Sequence, residues 1–112
     1  MTARSYLREF EQLVLLSVLR LGEDAYGGKI REDLEETAQR SVSIATIYVA
    51  LSRLERRGFV RSWMSDPTPV RGGKSKKYYA MEVEGRRALQ ETKATLERMW
   101  KGVGTGLDAS AP

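Results

Sequence analysis

The 112 residues predict one mainly α domain with a single small β-hairpin. Three observations carry this. Apolar residues recur at intervals of three and four in four separate stretches, the period of an α-helix. Between the third and fourth stretch, two short runs rich in Phe, Val, Trp and Tyr flank a Pro- and Gly-rich segment, the pattern of two strands and their loop. The length suffices for one small domain and not for two, and 41% hydrophobic with 30% charged residues is an ordinary globular balance.

The first helix is expected over residues 7–21. Leu7, Phe10, Val14, Val18 and Leu21 form its core face, and Leu15, Leu16 and Leu19 form a second apolar face on the opposite side. Both faces must be buried, the second against a partner subunit or inside the domain. Gly22 suits the position just past the last turn, and Asp24 is placed to cap the second helix. Tyr26, Ile30, Leu34 and Ala38 give that helix one apolar stripe, while Glu32, Asp33, Glu35 and Glu36 make the rest wet and acidic. Ser43 is a good N-cap for a third helix over residues 44–57. Ile44, Ile47, Tyr48, Leu51 and Leu54 line its core side, and Gly58 ends it. Strands are expected at 59–65 and 76–83, with Tyr78 and Tyr79 on opposite faces and a basic loop around Arg71-Gly72-Gly73-Lys74 between them. The fourth helix is expected over 84–101, where Leu89, Leu96, Met99 and Val103 fall at heptad-like spacing and suggest helix–helix packing. Residues 102–112 are rich in Gly and small side chains and read as a flexible tail.

Composition excludes several functions. Without cysteine there is no disulfide, thiol nucleophile or Cys-based zinc site, and without histidine the commonest general base and metal ligand are gone. No acidic loop offers a carboxylate metal site, so neither metal nor cofactor is expected. The longest uncharged stretch, residues 41–52, falls well short of the roughly 20 apolar residues of a membrane span. The N-terminus does not read as a secretory signal, and the expected compartment is cytoplasmic. Carboxylates such as Glu23, Asp24, Asp33 and Glu36 lack the partner groups of an active site, and the basic loop lacks the spacing of a P-loop. The net charge of +4 is uneven, with a balance of −2 over residues 1–40, +6 over 41–87 and zero over 88–112. A basic block of this kind binds a polyanion by releasing counterions, or is simply a solvated face.

Three helices followed by a hairpin and a last helix is the order of a winged helix-turn-helix with one additional C-terminal helix. In that arrangement the third helix enters the major groove of double-stranded DNA. Thr46 and Ser52 then serve base edges or phosphates, Arg53 and Arg56 reach guanine or phosphate, and the small Ala45 and Val49 permit close approach. Arg71, Lys74, Lys76 and Lys77 of the hairpin would lie along the backbone or in the minor groove. The rival reading is an interaction module that uses the acidic second helix and binds no DNA; retention on heparin discriminates the two.

Residues 43–60, with Ser43-Ile44-Ala45-Thr46-Ile47-Tyr48 opening the third helix and Arg53-Leu54-Glu55-Arg56-Arg57-Gly58 closing it, resemble the recognition-helix signature of PadR-type transcriptional regulators. Ala25-Tyr26-Gly27, Arg71-Gly72-Gly73-Lys74-Ser75-Lys76-Lys77-Tyr78-Tyr79 and Gly85-Arg86-Arg87-Ala88-Leu89 extend the resemblance over residues 7–101. Two positions depart from the pattern: Val49 stands where proline is common after the tyrosine, and Glu82 where threonine often caps the last helix. The resemblance implies a homodimeric repressor of palindromic operators, with Ser43 and Tyr48 joining the DNA-facing set. It implies a DNA-binding unit at 1–83 and a dimerisation helix at 84–101. The first and last helices then build the dimer through Leu15, Leu16, Leu19, Leu89, Leu96, Met99 and Val103. By analogy with short members of the family, Met99 and Trp100 line a pocket for a small aromatic effector.

Overall fold

The computed structural model describes residues 6–66 and 75–107. The elements occur in the expected order: α1 (Glu9–Leu21), a single 3-10 turn (Gly22–Asp24), α2 (Gly27–Thr37), α3 (Ile44–Arg56), β1 (Val60–Met64), β2 (Lys77–Met81) and α4 (Val83–Trp100). The first three helices pack around Val14, Val18, Ile30, Leu34, Ile47, Leu51 and Leu54, all almost wholly buried. β1 and β2 pair antiparallel from Val60↔Met81 to Met64↔Lys77. The hairpin is tied to the helices by the Tyr79 amide, which donates to the Ala25 carbonyl at 2.8 Å, and by a bridge between Tyr26 and Tyr78. Its orientation is therefore fixed by the same short segment that leads into α2.

Local chemistry explains most boundaries. The Ser43 hydroxyl accepts from the Thr46 amide at 3.1 Å, capping α3 as expected. Gly58, at φ +79°, takes the left-handed conformation that turns the chain from α3 into β1. Asp24 does not cap α2, because the 3-10 turn occupies residues 22–24 and the extended N-cap residue is Tyr26, which has no side-chain cap bond. Glu82 is the N-cap residue of α4, yet its carboxylate bonds Arg61 at 3.0 Å rather than the helix amides. A Cβ at Gly85 would collide with the Phe59 carbonyl, so the absent side chain lets α4 lie directly on the turn entering β1.

Two dimer-face expectations are corrected. Leu15 is fully buried in the domain's own core and offers nothing to a partner. It lies only about 60° around the helix from Val18, close enough for α1, enclosed on several sides, to cover it. Val103 falls beyond the seam, because α4 ends at Trp100, Lys101 is extended and Gly102 reverses the chain at φ +81°.

Asp33 also departs from the wet face expected of it. Its carboxylate accepts from the buried Ser17 hydroxyl at 2.8 Å, from Arg20 at 3.1 Å and from Thr37 at 3.0 Å, clamping α2 to α1. Burial pushes this carboxyl up, but hydrogen bonds from Arg20, Ser17 and Thr37 and the Arg20 charge outweigh it and hold it below its ordinary value. A depressed carboxyl contributes stability that is complete above the unfolded value of about 3.9 and lost as pH falls through the folded one. Urea midpoints measured from pH 7 to pH 2.5 should fall in that acidic window, and Asp33→Asn should flatten this part of the profile.

α4 projects from the rest. Only Gly85 and Ala88 of its eighteen residues are buried. The molecule measures 63 × 38 × 20 Å, with a radius of gyration of 16.9 Å. A compact chain of this length would have a radius of about 13 Å.

Candidate nucleic-acid interface

α3 presents its outward face cleanly. At 100° per residue, Ala45, Val49, Ser52 and Arg56 fall within an arc of about 60°, and all four side chains are exposed. Arg53 stands at one edge of this arc and Tyr48 at the other. Val49 is 58% exposed, and its short side chain leaves the middle of the face open to close approach. The one acid of the helix, Glu55, is drawn back by the Ser62 hydroxyl at 2.7 Å. Among the described residues, neither Arg53 nor Arg56 has a carboxylate within ion-pair distance. Their charges therefore stand available on a surface without local compensation.

The two ends of the face are set by neighbouring helices. Tyr48 leans on α2 at Gly27, where a Cβ would lie 2.6 Å from the Tyr48 Cζ. Ser43 and Thr46 stand at the helix start with their hydroxyl oxygens 2.9 Å apart. The Ser43 oxygen is committed to the cap, which leaves Thr46 as the more available hydroxyl.

The hairpin continues the basic surface. Lys76 and Lys77 are exposed, with the Lys76 ammonium 4.3 Å above the Tyr26 ring and that of Lys77 5.9 Å from the Tyr79 ring. Tyr26 meets Tyr78 edge-on, and Tyr78 stacks on Trp63 across the strands. This aromatic run stiffens the base of the hairpin beneath its lysines. Tyr79 faces inward, and burial pushes its phenol up to about 12. Arg71 and Lys74 lie outside the described residues.

Residues that the sequence did not single out stand beside Arg53. Glu11, 5% exposed, accepts from the Arg8 amide at 2.9 Å and from Arg57 at 3.3 Å. Arg57 also donates to the Tyr6 carbonyl and covers the Phe59 ring at 4.6 Å. The adjacent Arg-Arg-Gly at the end of α3 was the available signal, but it could not show that one arginine turns inward.

A second, apolar surface lies away from α3. Leu16 and Leu19 of α1 face Leu96 and Trp100 of α4 across a groove of about 550 Å³, with the partly buried Leu89 at its floor. Met99, expected from the sequence to share a pocket with Trp100, is exposed on α4 and does not line this groove. Among the described residues no helix is long and apolar enough to cross a membrane, and no acidic cluster suits a metal ion.

These features coincide with known proteins. Residues 15–91 match the model of the transcriptional regulator PadR-like family. Among solved structures, the chain is similar to a PadR family transcription regulator from hypervirulent Clostridium difficile R20291, at 27% identity over 88% of this chain and 98% of that one, with a TM-score of 0.68. It is similar to a PadR family transcriptional regulator from Eggerthella lenta DSM 2243, at 31% identity over 91% and 88% of the two chains, with a TM-score of 0.67. A PadR-like transcription factor from Bacteroides fragilis is 28% identical over 84% and 85%, with a TM-score of 0.70. A comparison with curated proteins finds no significant match. An uncompensated basic helix face beside a lysine-bearing hairpin is what such regulators need, and the frame is theirs: the chain belongs to the PadR-like family of DNA-binding transcriptional regulators, which are not enzymes.

Proposed function

We propose that the protein is a homodimeric repressor that binds a palindromic operator, one half-site per subunit. Residues 1–83 form the DNA-binding unit, residues 84–101 the dimerisation helix and residues 102–112 a tail. The observation that carries the DNA assignment is the α3 face, where Ala45, Val49, Ser52, Arg53 and Arg56 are exposed together and, among the described residues, no acid pairs with Arg53 or Arg56. Arg side chains read guanine in bidentate fashion, small side chains allow close approach, and the hairpin lysines lie where backbone phosphates would run. The dimer assignment rests on α4. A helix with so little of its length buried is marginal in water on its own, and Leu16, Leu19, Leu96 and Met99 offer a second copy an apolar seam. The site of action is the cytoplasm, with the DNA.

A repressor of this design is released when something alters the spacing of its two reading heads. Trp100, 56% exposed at the rim of the α1–α4 groove, suits a small flat aromatic effector at the dimer centre, with the exposed Met99 reaching it from outside the groove lining.

Fluorescence anisotropy tests the reading, using DNA upstream of the protein's own gene against scrambled DNA at two salt concentrations. Tight binding to the promoter alone, with two protomers per site, is the expected result. Arg53→Ala and Arg56→Ala should each weaken promoter binding by about 1–3 kcal/mol if they read bases, with loss of preference over scrambled DNA. Promoter and scrambled DNA bound equally by the wild type would defeat the operator assignment.

A further inference from the structure

Beside the recognition face, α3 and the segment entering α1 form a small basic pocket of about 380 Å³, lined by Tyr6, Leu7, Arg8, Glu11, Arg53 and Arg57. We infer that this pocket is a phosphate-binding site, and that its ligand is a backbone phosphodiester of the DNA lying at the flank of the half-site that α3 reads. This rests on the DNA-binding reading above and extends it to Arg8, which no base-reading argument includes.

The charge arrangement points to an anion. Three guanidinium groups share the pocket with a single carboxylate. That carboxylate is spoken for: Glu11 is almost fully buried and bound by Arg57 and by the Arg8 amide. It neutralises one guanidinium and leaves two positive charges at the opening. Among the described residues the side chains of Arg8 and Arg53 pair with no carboxylate, and both are exposed. Arginine forks match the tetrahedral oxygens of phosphate, with two charge-assisted hydrogen bonds each.

The position points to DNA as the source of that phosphate. Arg53 belongs both to this pocket and to the edge of the α3 face, so an anion here lies beside whatever α3 touches. Glu11 is a positioning residue in this arrangement. It holds Arg57 against Phe59 and, through the Arg8 amide, ties the start of α1 to the end of α3, so the elements that carry Arg8 and Arg53 are fixed before any ligand arrives. The site would fix register on the backbone and carry no sequence information.

The test uses the full chain and the duplex that in vitro selection shows it binds most tightly, with a scrambled duplex beside it. Arg8→Gln should weaken both duplexes by a similar factor, about tenfold at 0.1 M salt, and reduce the slope of log affinity against log salt by about one per bound subunit. Arg8→Lys should restore the salt slope but only part of the affinity, because a point charge replaces a fork. Replacing single phosphates by neutral methylphosphonates should reveal one position per half-site whose loss weakens the wild type and leaves Arg8→Gln unaffected. Unchanged affinity and slope in Arg8→Gln, with the wild type binding normally, would overturn the proposal and spare the DNA-binding reading. No duplex binding by the wild type would overturn both. Binding of inorganic phosphate that Arg8→Gln abolishes, without any effect on DNA, would assign the pocket to a free anion and overturn the backbone assignment.

Discussion

Placing a carboxylate on the α1–α4 seam, as Leu16→Asp together with Leu96→Asp, should leave a folded monomer that has lost nearly all operator binding. The two leucines are 42% and 48% exposed, so neither substitution opens the domain core. In a dimer they would be desolvated, and four carboxylates brought together there would repel one another, only partly offset by Arg86 and Lys93 at the same groove. Sedimentation should therefore show the 12.6 kDa chain alone at concentrations where the wild type sediments as twice that mass. The effect on DNA is larger than any single contact explains. Once one head of a dimer is bound, the second searches at an effective concentration in the millimolar range, so losing the linkage removes about 10²–10⁴ in affinity. Binding to one isolated half-site should be almost unchanged, which separates a broken dimer from a damaged α3. A double variant that remains dimeric would place the subunit contact elsewhere on the molecule.

What the sequence made legible was decided by local interactions. Ser43, the apolar spacing of Ile47, Leu51 and Leu54, and Gly58 define α3 within sixteen consecutive residues, and the structure agrees to one residue at its end. The alternation around Trp63 and Tyr78 gives the hairpin for the same reason. The failures concern partners distant along the chain. Leu15 and Leu19 both suit an outer apolar stripe, and only the packing of α2, α3 and the hairpin around α1 decides that Leu15 is core and Leu19 is not. Asp33 reads as solvated until Ser17 and Arg20 are brought beside it from sixteen and thirteen positions away. The heptad spacing carried the expected seam to Val103, but a period says nothing of where a helix stops, and Gly102 stops it. Ala45, Thr46, Val49, Ser52, Arg53 and Arg56, which the helix period puts on the outer side of α3, are all exposed, and Ser43 caps the helix as its position suggested. Tyr48, assigned to both the core stripe and the DNA face, sits between them against Gly27.

The largest change in monomer stability should come from Arg57→Met. Its guanidinium is the charge partner of Glu11 across a sequence separation of 46 residues, and Glu11 is only 5% exposed. Removing one member of a buried pair leaves the other desolvated without compensation, at a cost of about 3–5 kcal/mol. Arg57 is 29% exposed, so some water reaches the pair and the lower end of that range is expected. Methionine keeps much of the packing against Phe59, so the loss reports the guanidinium's polar partners, Glu11 and the Tyr6 carbonyl among them. Removing both charges, as Glu11→Leu with Arg57→Met, should recover part of the loss, because no orphaned carboxylate remains while the Arg8 amide and the Tyr6 carbonyl still lose their partners. Urea unfolding of the two single variants and the double variant gives the coupling directly. Operator binding should recover in step with the fold, because Arg8 and Arg53, the two guanidinium groups of the basic pocket that pair with no carboxylate among the described residues, remain in the double variant. A double variant as unstable as Arg57→Met alone would show that packing against Phe59 and the Tyr6 carbonyl, not the ion pair, holds the junction together.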